Sequence, residues 1–247
     1  MKLFHKDMKM ADVINSNYLL LPVINRFGIK PGFGDKTVKT VCDKTKINTD
    51  FFLAILNTFS NENFFPEKKL QTFSVLMIVE YLKKTHNYYK FVQLPLIENH
   101  LFLFLESYKA NKSTINQVKK FFNEYKNELS EHLAREENIT FPYVEKVYEC
   151  YYNKKGLDCK SIKSLLKKYS MQKFEAEHSN IDEKLEDLKN ILIKYIEPDF
   201  DESLCNIVIF ELFRLEKDLI DHTRIENNIM KPLVIYMENE LKLKYNI

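Results

Sequence analysis

Glycine is scarce in this chain and tryptophan is missing altogether. Four glycines and seven prolines among 247 residues leave long stretches without a residue that interrupts helices. A fold made of many short strands joined by glycine turns is therefore excluded. Lysine, glutamate, leucine, isoleucine and asparagine dominate the long stretches. We expect an all-α protein, and 45% apolar residues are enough to form a packed core in one or two domains.

Long apolar runs and an excess of either charge are also missing. No run approaches the roughly 18 apolar residues that span a bilayer, and the first ten residues mix charges with apolar side chains, unlike a signal peptide. The 37 basic and 35 acidic residues are spread through the chain, so no concentrated basic face indicates nucleic acid. We expect a cytoplasmic protein without a membrane or nucleic-acid partner.

The four cysteines, Cys42, Cys150, Cys159 and Cys205, lie far apart and form no paired motif. This spacing is typical of reduced, buried thiols rather than of a disulfide framework. Cys42 is the single candidate for a redox or cluster-handling thiol.

The first 66 residues predict a small N-terminal helical domain. Breakers are concentrated in the turn from Phe27 to Gly34, and the segment from Asn61 to Pro66 is a junction between domains. Residues 67–247 then form the second domain. Within the first, helices are predicted from Met10 to Phe27, near Thr37 to Thr45, and from Phe51 to Thr58, the last with caps offered by Asn48, Thr49 and Asp50.

An eleven-residue stretch occurs twice in the second domain. The stretch from His132 to Pro142 agrees at five positions with the stretch from His222 to Pro232. Each copy places a glutamate four residues after its histidine, namely Glu136 and Glu226. Residues four apart on a helix differ by about 40° in direction and about 6 Å in height. Each pair can therefore reach one metal ion.

Two further histidines extend this pattern. His86 and His178 precede the two pairs, so that successive histidines are 46, 46 and 44 positions apart (86 to 132, 132 to 178, and 178 to 222). Each interval fits two helices of about 20 residues with their connection. The spacing predicts an up-down-up-down four-helix bundle whose ligands lie at one depth.

Each histidine follows a helical stripe of apolar residues, as in Val79, Leu82, His86 and Tyr89. A lone histidine on such a stripe is more often a hydrogen-bonded core residue than a ligand. Four with regular spacing, two of them paired with a glutamate, favour a metal site, because a buried carboxylate is costly without a cation or a proton. A helical scaffold without metal is the alternative.

His100 competes with His86 for the first ligand position. About 21 Å of helix separates the two residues, so only one can reach the site. The repeat offset favours His86, and His100 is expected to be structural or to support a ligand. His5 is expected to be exposed.

Imidazole and carboxylate ligands suit iron, manganese or zinc. Four histidines with only two glutamates resemble the ligand set of a hemerythrin-like domain. More specifically, the chain resembles the repair-of-iron-centres proteins over nearly its whole length. That likeness rests on the segments Tyr81–His86, Glu177–His178, Leu215–Asn228, Ala11–Ile14 and Val23–Ile29, followed by Cys42.

The resemblance implies two iron ions, oxo- or hydroxo-bridged, held by His86, His132, Glu136, His178, His222 and Glu226, with the glutamates bridging. It implies repair of iron-sulfur clusters damaged by nitric oxide or peroxide, through iron donation or nitric oxide chemistry. The partners would be damaged iron-sulfur proteins or a small diatomic ligand. The alternative is an oxygen or nitric oxide sensor or carrier, and whether the protein is an enzyme stays open.

One departure from that family concerns the N-terminal domain. The family carries an adjacent cysteine pair after its Phe-Gly-Ile signature, whereas this chain has Lys30 and Pro31 there. Chemistry assigned to that thiol pair is not carried over, so the domain is interpreted as a docking or dimerisation piece. Phenylalanine-rich stretches such as Leu101–Leu105 fit an apolar homodimer contact and core packing equally well.

Overall fold

The computed structural model describes residues 3–61, 63–108, 112–152, 160–172, 179–196 and 199–246. Within these ranges every regular element is a helix or a helical turn, which confirms the predicted all-α class. Among the same residues, no helix has both the length and the apolar character needed to cross a bilayer.

The α-helices are labelled in chain order, and four π-helical turns continue some of them. The helices are α1 Met10–Ser16, α2 Leu21–Arg26, α3 Val38–Thr45, α4 Thr49–Ser60, α5 Glu67–Leu70, α6 Val75–Tyr88, α7 Leu94–Ser107, α8 Lys112–Arg135, α9 Phe141–Tyr151, α10 Lys160–Lys168, α11 Ser179–Asn190, α12 Glu202–Ile225 and α13 Lys231–Tyr245. The π-helical turns are Tyr89–Gln93, Glu136–Thr140, Ile191–Tyr195 and Glu226–Met230.

The chain forms two compact units. The first contains Met1–Tyr88 and Asp221–Leu233, and the second contains Tyr89–Ile220 and Val234–Ile247. The domain boundary that the sequence suggests after residue 66 stays a prediction.

Helix α4 is the centre of the first unit. All residues from Phe51 to Phe59 are buried, as expected for a helix that is covered on every side. The side chain of Asn48, one of the three caps that the sequence offered, accepts a hydrogen bond from the backbone N–H of Phe51 and so begins the helix. Helices α2, α3 and α5 pack on α4, and α6 packs on α2. The π-helical turn Glu226–Met230 packs against α5 and α6.

The prediction of a single helix from Met10 to Phe27 is wrong. This segment is divided into α1, a 3₁₀ turn at Tyr18–Leu20, and α2. Asn17 is extended and its side chain accepts from the backbone N–H of Leu19, an alternative to helical bonding. Pro22 then lacks the N–H that a continuous helix needs. Apolar periodicity alone does not detect this competition.

The second unit contains a closed ring of four helices. Adjacent helices around the ring, α7 with α8, α8 with α11, α11 with α12, and α12 with α7, are each joined by one pair of oppositely charged or hydrogen-bonded side chains. The pairs are Glu98 with Lys126, Glu128 with Lys184, Lys189 with Glu216, and His100 with Glu211. Apolar residues of three of these helices are buried, namely Leu101, Phe104, Phe122, Leu129 and Leu212.

Asn57 provides a stability test for the first unit. Its side chain is buried, accepts from the backbone N–H of Phe4 at 2.8 Å and donates to the Phe4 carbonyl at 3.1 Å. Asn57→Ala leaves both backbone groups without this partner, so we expect the free energy of unfolding to fall by about 2 kcal/mol. Urea denaturation measures the change. The exposed Asn25→Ala is the control, and equal losses in both variants would contradict the assignment.

Candidate metal site

Three of the six predicted ligands meet inside the first unit. His86 lies in the last turn of α6, His222 in the last turn of α12, and Glu226 opens the π-helical turn that follows. The two imidazole Nε2 atoms are 3.4 Å apart, and His222 Nε2 is 3.1 Å from Glu226 Oε1. Ligand atoms of the three residues all lie within 4.8 Å of one another. This separation is short enough for one metal ion to be shared.

The three side chains are deeply buried. Exposed fractions are 0% for His86 and 3% for both His222 and Glu226. His86 is buried because Val79, Leu82 and Tyr89 on the same helical stripe are buried with it. Water cannot solvate an ionised carboxylate at this depth, so the fold must provide a cation or a proton for Glu226.

His132 and Glu136 form the matching pair in the second unit. His132 lies in the last turn of α8, and Glu136 opens the next π-helical turn. His132 Nε2 is 3.4 Å from Glu136 Oε1, and both side chains are about one-tenth exposed. The adjacent Glu137 points elsewhere, because its carboxylate accepts from Lys90 Nζ at 2.7 Å. Neighbouring glutamates in the repeat therefore have different roles.

The two His-x3-Glu pairs share a backbone feature that sequence reasoning missed. In each, the glutamate carbonyl accepts a hydrogen bond from the N–H five residues later, from Phe141 in one copy and Lys231 in the other. Five-residue bonding defines a π-helix, a form common at functional sites. The signal was present in the sequence, since Pro142 and Pro232 are matched positions of the repeat.

Proline explains why the turn widens there. A proline has no N–H to donate to the carbonyl four residues earlier, and its ring crowds that carbonyl. For Pro232 that carbonyl belongs to Asn228, which instead accepts from the side chain of Gln71 at 3.3 Å. A third π-helical turn, beginning at Tyr89, also lies six residues before a proline, Pro95. Within the described ranges, a π-helical turn that begins six residues before a proline therefore occurs three times, once after His86 and once at each glutamate.

The two remaining histidine predictions have different outcomes. His178 falls in the segment 173–178, outside the described residues. His100, the competitor of His86, lies in the second unit, where its Nδ1 is 3.0 Å from Glu211 Oε2. Glu211 in turn accepts from Gln93 through its backbone carbonyl. His100 thus has a carboxylate partner on α12, whereas His86 lies beside His222.

Thiols take no part in the described cluster. Among the described residues, Cys42, Cys150 and Cys205 form no disulfide and are buried. Burial raises the pKa of Cys42 to about 11, with a smaller opposing effect from its hydrogen bond with Thr49. The thiol is therefore protonated at neutral pH, and Cys42 has the character of an inert core residue. The donor set consists of imidazole nitrogen and carboxylate oxygen, which suits iron.

Comparison with known families agrees with this donor set. The family model of the hemerythrin HHE cation binding domain matches residues 97–234, which is more than half of the chain. The chain therefore belongs to the hemerythrin HHE cation-binding family. A search of curated proteins found no match. The matched range includes both His-x3-Glu pairs, His178 and His100, but it begins after His86.

Substitution of the two competing histidines tests the first ligand. We expect His86→Ala to lower metal affinity at least about 100-fold, because it removes a ligand atom from the cluster. His100→Ala removes only the contact with Glu211 and should leave the metal content unchanged. Elemental analysis of both variants after identical iron loading measures the difference. Metal loss in His100→Ala alone would reverse the assignment.

Pro232→Ala tests the π-helical turn. Alanine restores an N–H that can donate to the Asn228 carbonyl, which allows ordinary α-helical bonding. The helix after Glu226 would then turn by about 100° relative to the part before it. We expect affinity for iron to fall about 10- to 100-fold, with helical content unchanged. Chelator competition measures affinity, circular dichroism measures helicity, and the exposed Pro31→Ala is the control. Unaltered affinity in Pro232→Ala would exclude this role.

Proposed function

We propose that the protein holds two iron ions and uses them in the repair of iron-sulfur clusters damaged by nitric oxide or oxidants. The proposed ligands are His86, His178, His222 and Glu226, completed by the pair His132 and Glu136. Membership of a cation-binding family supports metal binding in general. The number of ions, their identity and the repair role are the proposal.

The observation that carries the proposal is the buried cluster of His86, His222 and Glu226. Two imidazoles and a carboxylate have ligand atoms within 4.8 Å of one another. A bound cation would offset the burial of Glu226. Nitrogen ligands with carboxylates that can span two ions fit iron. Bound iron would supply either a transferable ion or an open coordination position for a diatomic ligand.

The protein residues would have four tasks in this scheme. His86 and His222 would provide nitrogen ligands, and Glu226 would provide negative charge that offsets part of the metal charge. The apolar residues around them, including Val79 and Leu82, exclude water from the site. The π-helical turns at Glu136 and Glu226 fix where the carboxylates lie along their helices.

The resemblance of the N-terminal segment supports repair over simple ligand transport. Its Phe27-Gly28-Ile29 signature has a structural basis, because Gly28 adopts a positive φ of 75°. This conformation is open to glycine and strained for other residues. Ile29 is buried immediately after it. The glycine of this signature therefore allows a turn. The resemblance of the signature to that of the repair-of-iron-centres proteins supports a role with iron-sulfur proteins in the cytoplasm. A carrier or sensor of oxygen or nitric oxide is the competing function.

Two adjacent glutamates provide a matched test. Glu136→Gln changes the residue beside His132, whereas Glu137→Gln changes its neighbour that pairs with Lys90. We expect Glu136→Gln to lose at least one iron per chain and the ability to restore a nitric oxide-damaged iron-sulfur enzyme. Glu137→Gln should retain both. Iron content and the recovery rate of the damaged enzyme are the measurements.

The outcomes separate metal binding from repair. If the wild-type protein binds two irons without accelerating recovery, the repair role is wrong and the metal site stands. A reversible oxygen adduct of the reduced protein would then favour the carrier or sensor. If Glu136→Gln keeps its iron and repairs as well as Glu137→Gln, the ligand assignment is wrong.

A further inference from the structure

A half-open cleft lies on the first unit, apart from the cluster of His86, His222 and Glu226. Its cavity volume is about 140 Å³, smaller than the sites that hold drug-sized ligands, so only a small ligand fits. Its walls come from the end of α2, the connection between α3 and α4, and the exposed side of α6. The proposed repair function uses none of its lining side chains.

The floor of the cleft is aromatic. Phe27 and Tyr81 are stacked with their ring centroids 5.3 Å apart and an angle of 28° between their planes. Phe51 meets both rings edge-on, at 6.1 Å from Phe27 and 6.3 Å from Tyr81. Met77 and Ile47 add apolar side chains beside them. A flat apolar group of one ring can pack against such a surface with favourable geometry.

The rim of the cleft is cationic. Lys46 and Lys84 line it, and Glu80 is the single acidic lining residue. The ion pair of Lys84 with Glu80, at 2.7 Å, joins two largely exposed side chains, so it is weak and Lys84 can turn to another anion. The buried Arg26 adds positive charge near the floor, because it donates to the Tyr81 hydroxyl at 3.3 Å. A cationic ligand is therefore disfavoured despite the aromatic rings.

Lys46 has a backbone conformation that its position at the end of α3 does not explain by itself. It ends α3 in the left-handed region with φ 57°, where glycine or asparagine is the usual residue. A non-glycine residue in this region is strained, and such strain is concentrated at functional positions. The backbone conformation would be satisfied better by glycine. The lysine contributes a side-chain charge at the rim of an aromatic cleft.

We propose that this cleft binds a small aromatic monocarboxylate, with the ring on Phe27, Phe51 and Tyr81 and the carboxylate at Lys46 and Lys84. The apolar floor accounts for the ring, and the two ammonium groups account for the negative charge. The first unit thus has a ligand site whose occupancy does not depend on iron.

Phenylacetate is the probe, used with the full chain in its metal-free and iron-loaded forms. Titration is followed through the methyl resonances of Ile47 and Met77, which report on the cleft directly. We expect saturable shifts with phenylacetate and at least about threefold weaker binding of the neutral phenylacetamide. The affinity should be the same with and without iron.

Lys46→Gly separates binding from folding. Glycine accepts the left-handed conformation, so the variant should unfold at the same urea concentration as wild type, or at a higher one. We expect Lys46→Gly and Lys84→Gln each to weaken phenylacetate binding about threefold, and the double variant up to about tenfold. The exposed Lys39→Gln, on α3 and outside the cleft, is the matched control.

Two results would overturn the proposal. One is the absence of saturable shifts at Ile47 and Met77 with phenylacetate. The other is unchanged phenylacetate affinity in a folded double variant, because the rim lysines would then not recognise the carboxylate. Neither result bears on iron binding, which is measured separately by metal content.

Discussion

The burial of Glu226 beside His222 is the constraint on which the rest of the site depends. A carboxylate with 3% of its surface exposed must be compensated, and the Nε2 atom of His222 lies 3.1 Å from it. His86 adds a second imidazole to the same point. The helices that carry these residues must therefore keep their register, because a one-residue slip would turn a ligand away by about 100°. The surrounding apolar residues protect this polar centre from water.

Pro232 shapes the backbone that holds the buried Glu226 in place. A residue that lacks an N–H weakens an ordinary helix, but here the loss is accommodated by a wider turn beginning at Glu226. The Asn228 carbonyl, to which Pro232 cannot donate, accepts a hydrogen bond from Gln71, the residue that follows α5. The same arrangement of glutamate, π-helical turn and proline recurs at Glu136. The two copies of the repeat therefore share a backbone geometry as well as candidate ligands, which explains why the proline matches along with the histidine and the glutamate.

The N-terminal part of the first unit has structural features that iron binding does not need. A positive φ at Gly28 forms the turn after α2, and a strained Lys46 ends α3 at the rim of an aromatic cleft. Cys42, the one thiol that invited a redox interpretation, is buried with a pKa of about 11. Apart from the cluster of His86, His222 and Glu226, the cleft in this unit is lined by aromatic and cationic side chains rather than by sulfur. The ligand binding proposed for this cleft is separate from the metal site, and each can be measured alone.

Composition and helical periodicity by themselves determined the all-α class, the inward face of His86 and the two His-x3-Glu pairs, because these follow from residues three or four apart on one helix. The break at Asn17 within the predicted first helix was missed, since side-chain capping and a proline override periodicity locally. Only the tertiary structure decided that His86 lies at His222 while His100 contacts Glu211. Both histidines follow equivalent apolar stripes. Which partner each of them meets depends on how helices distant in sequence pack together.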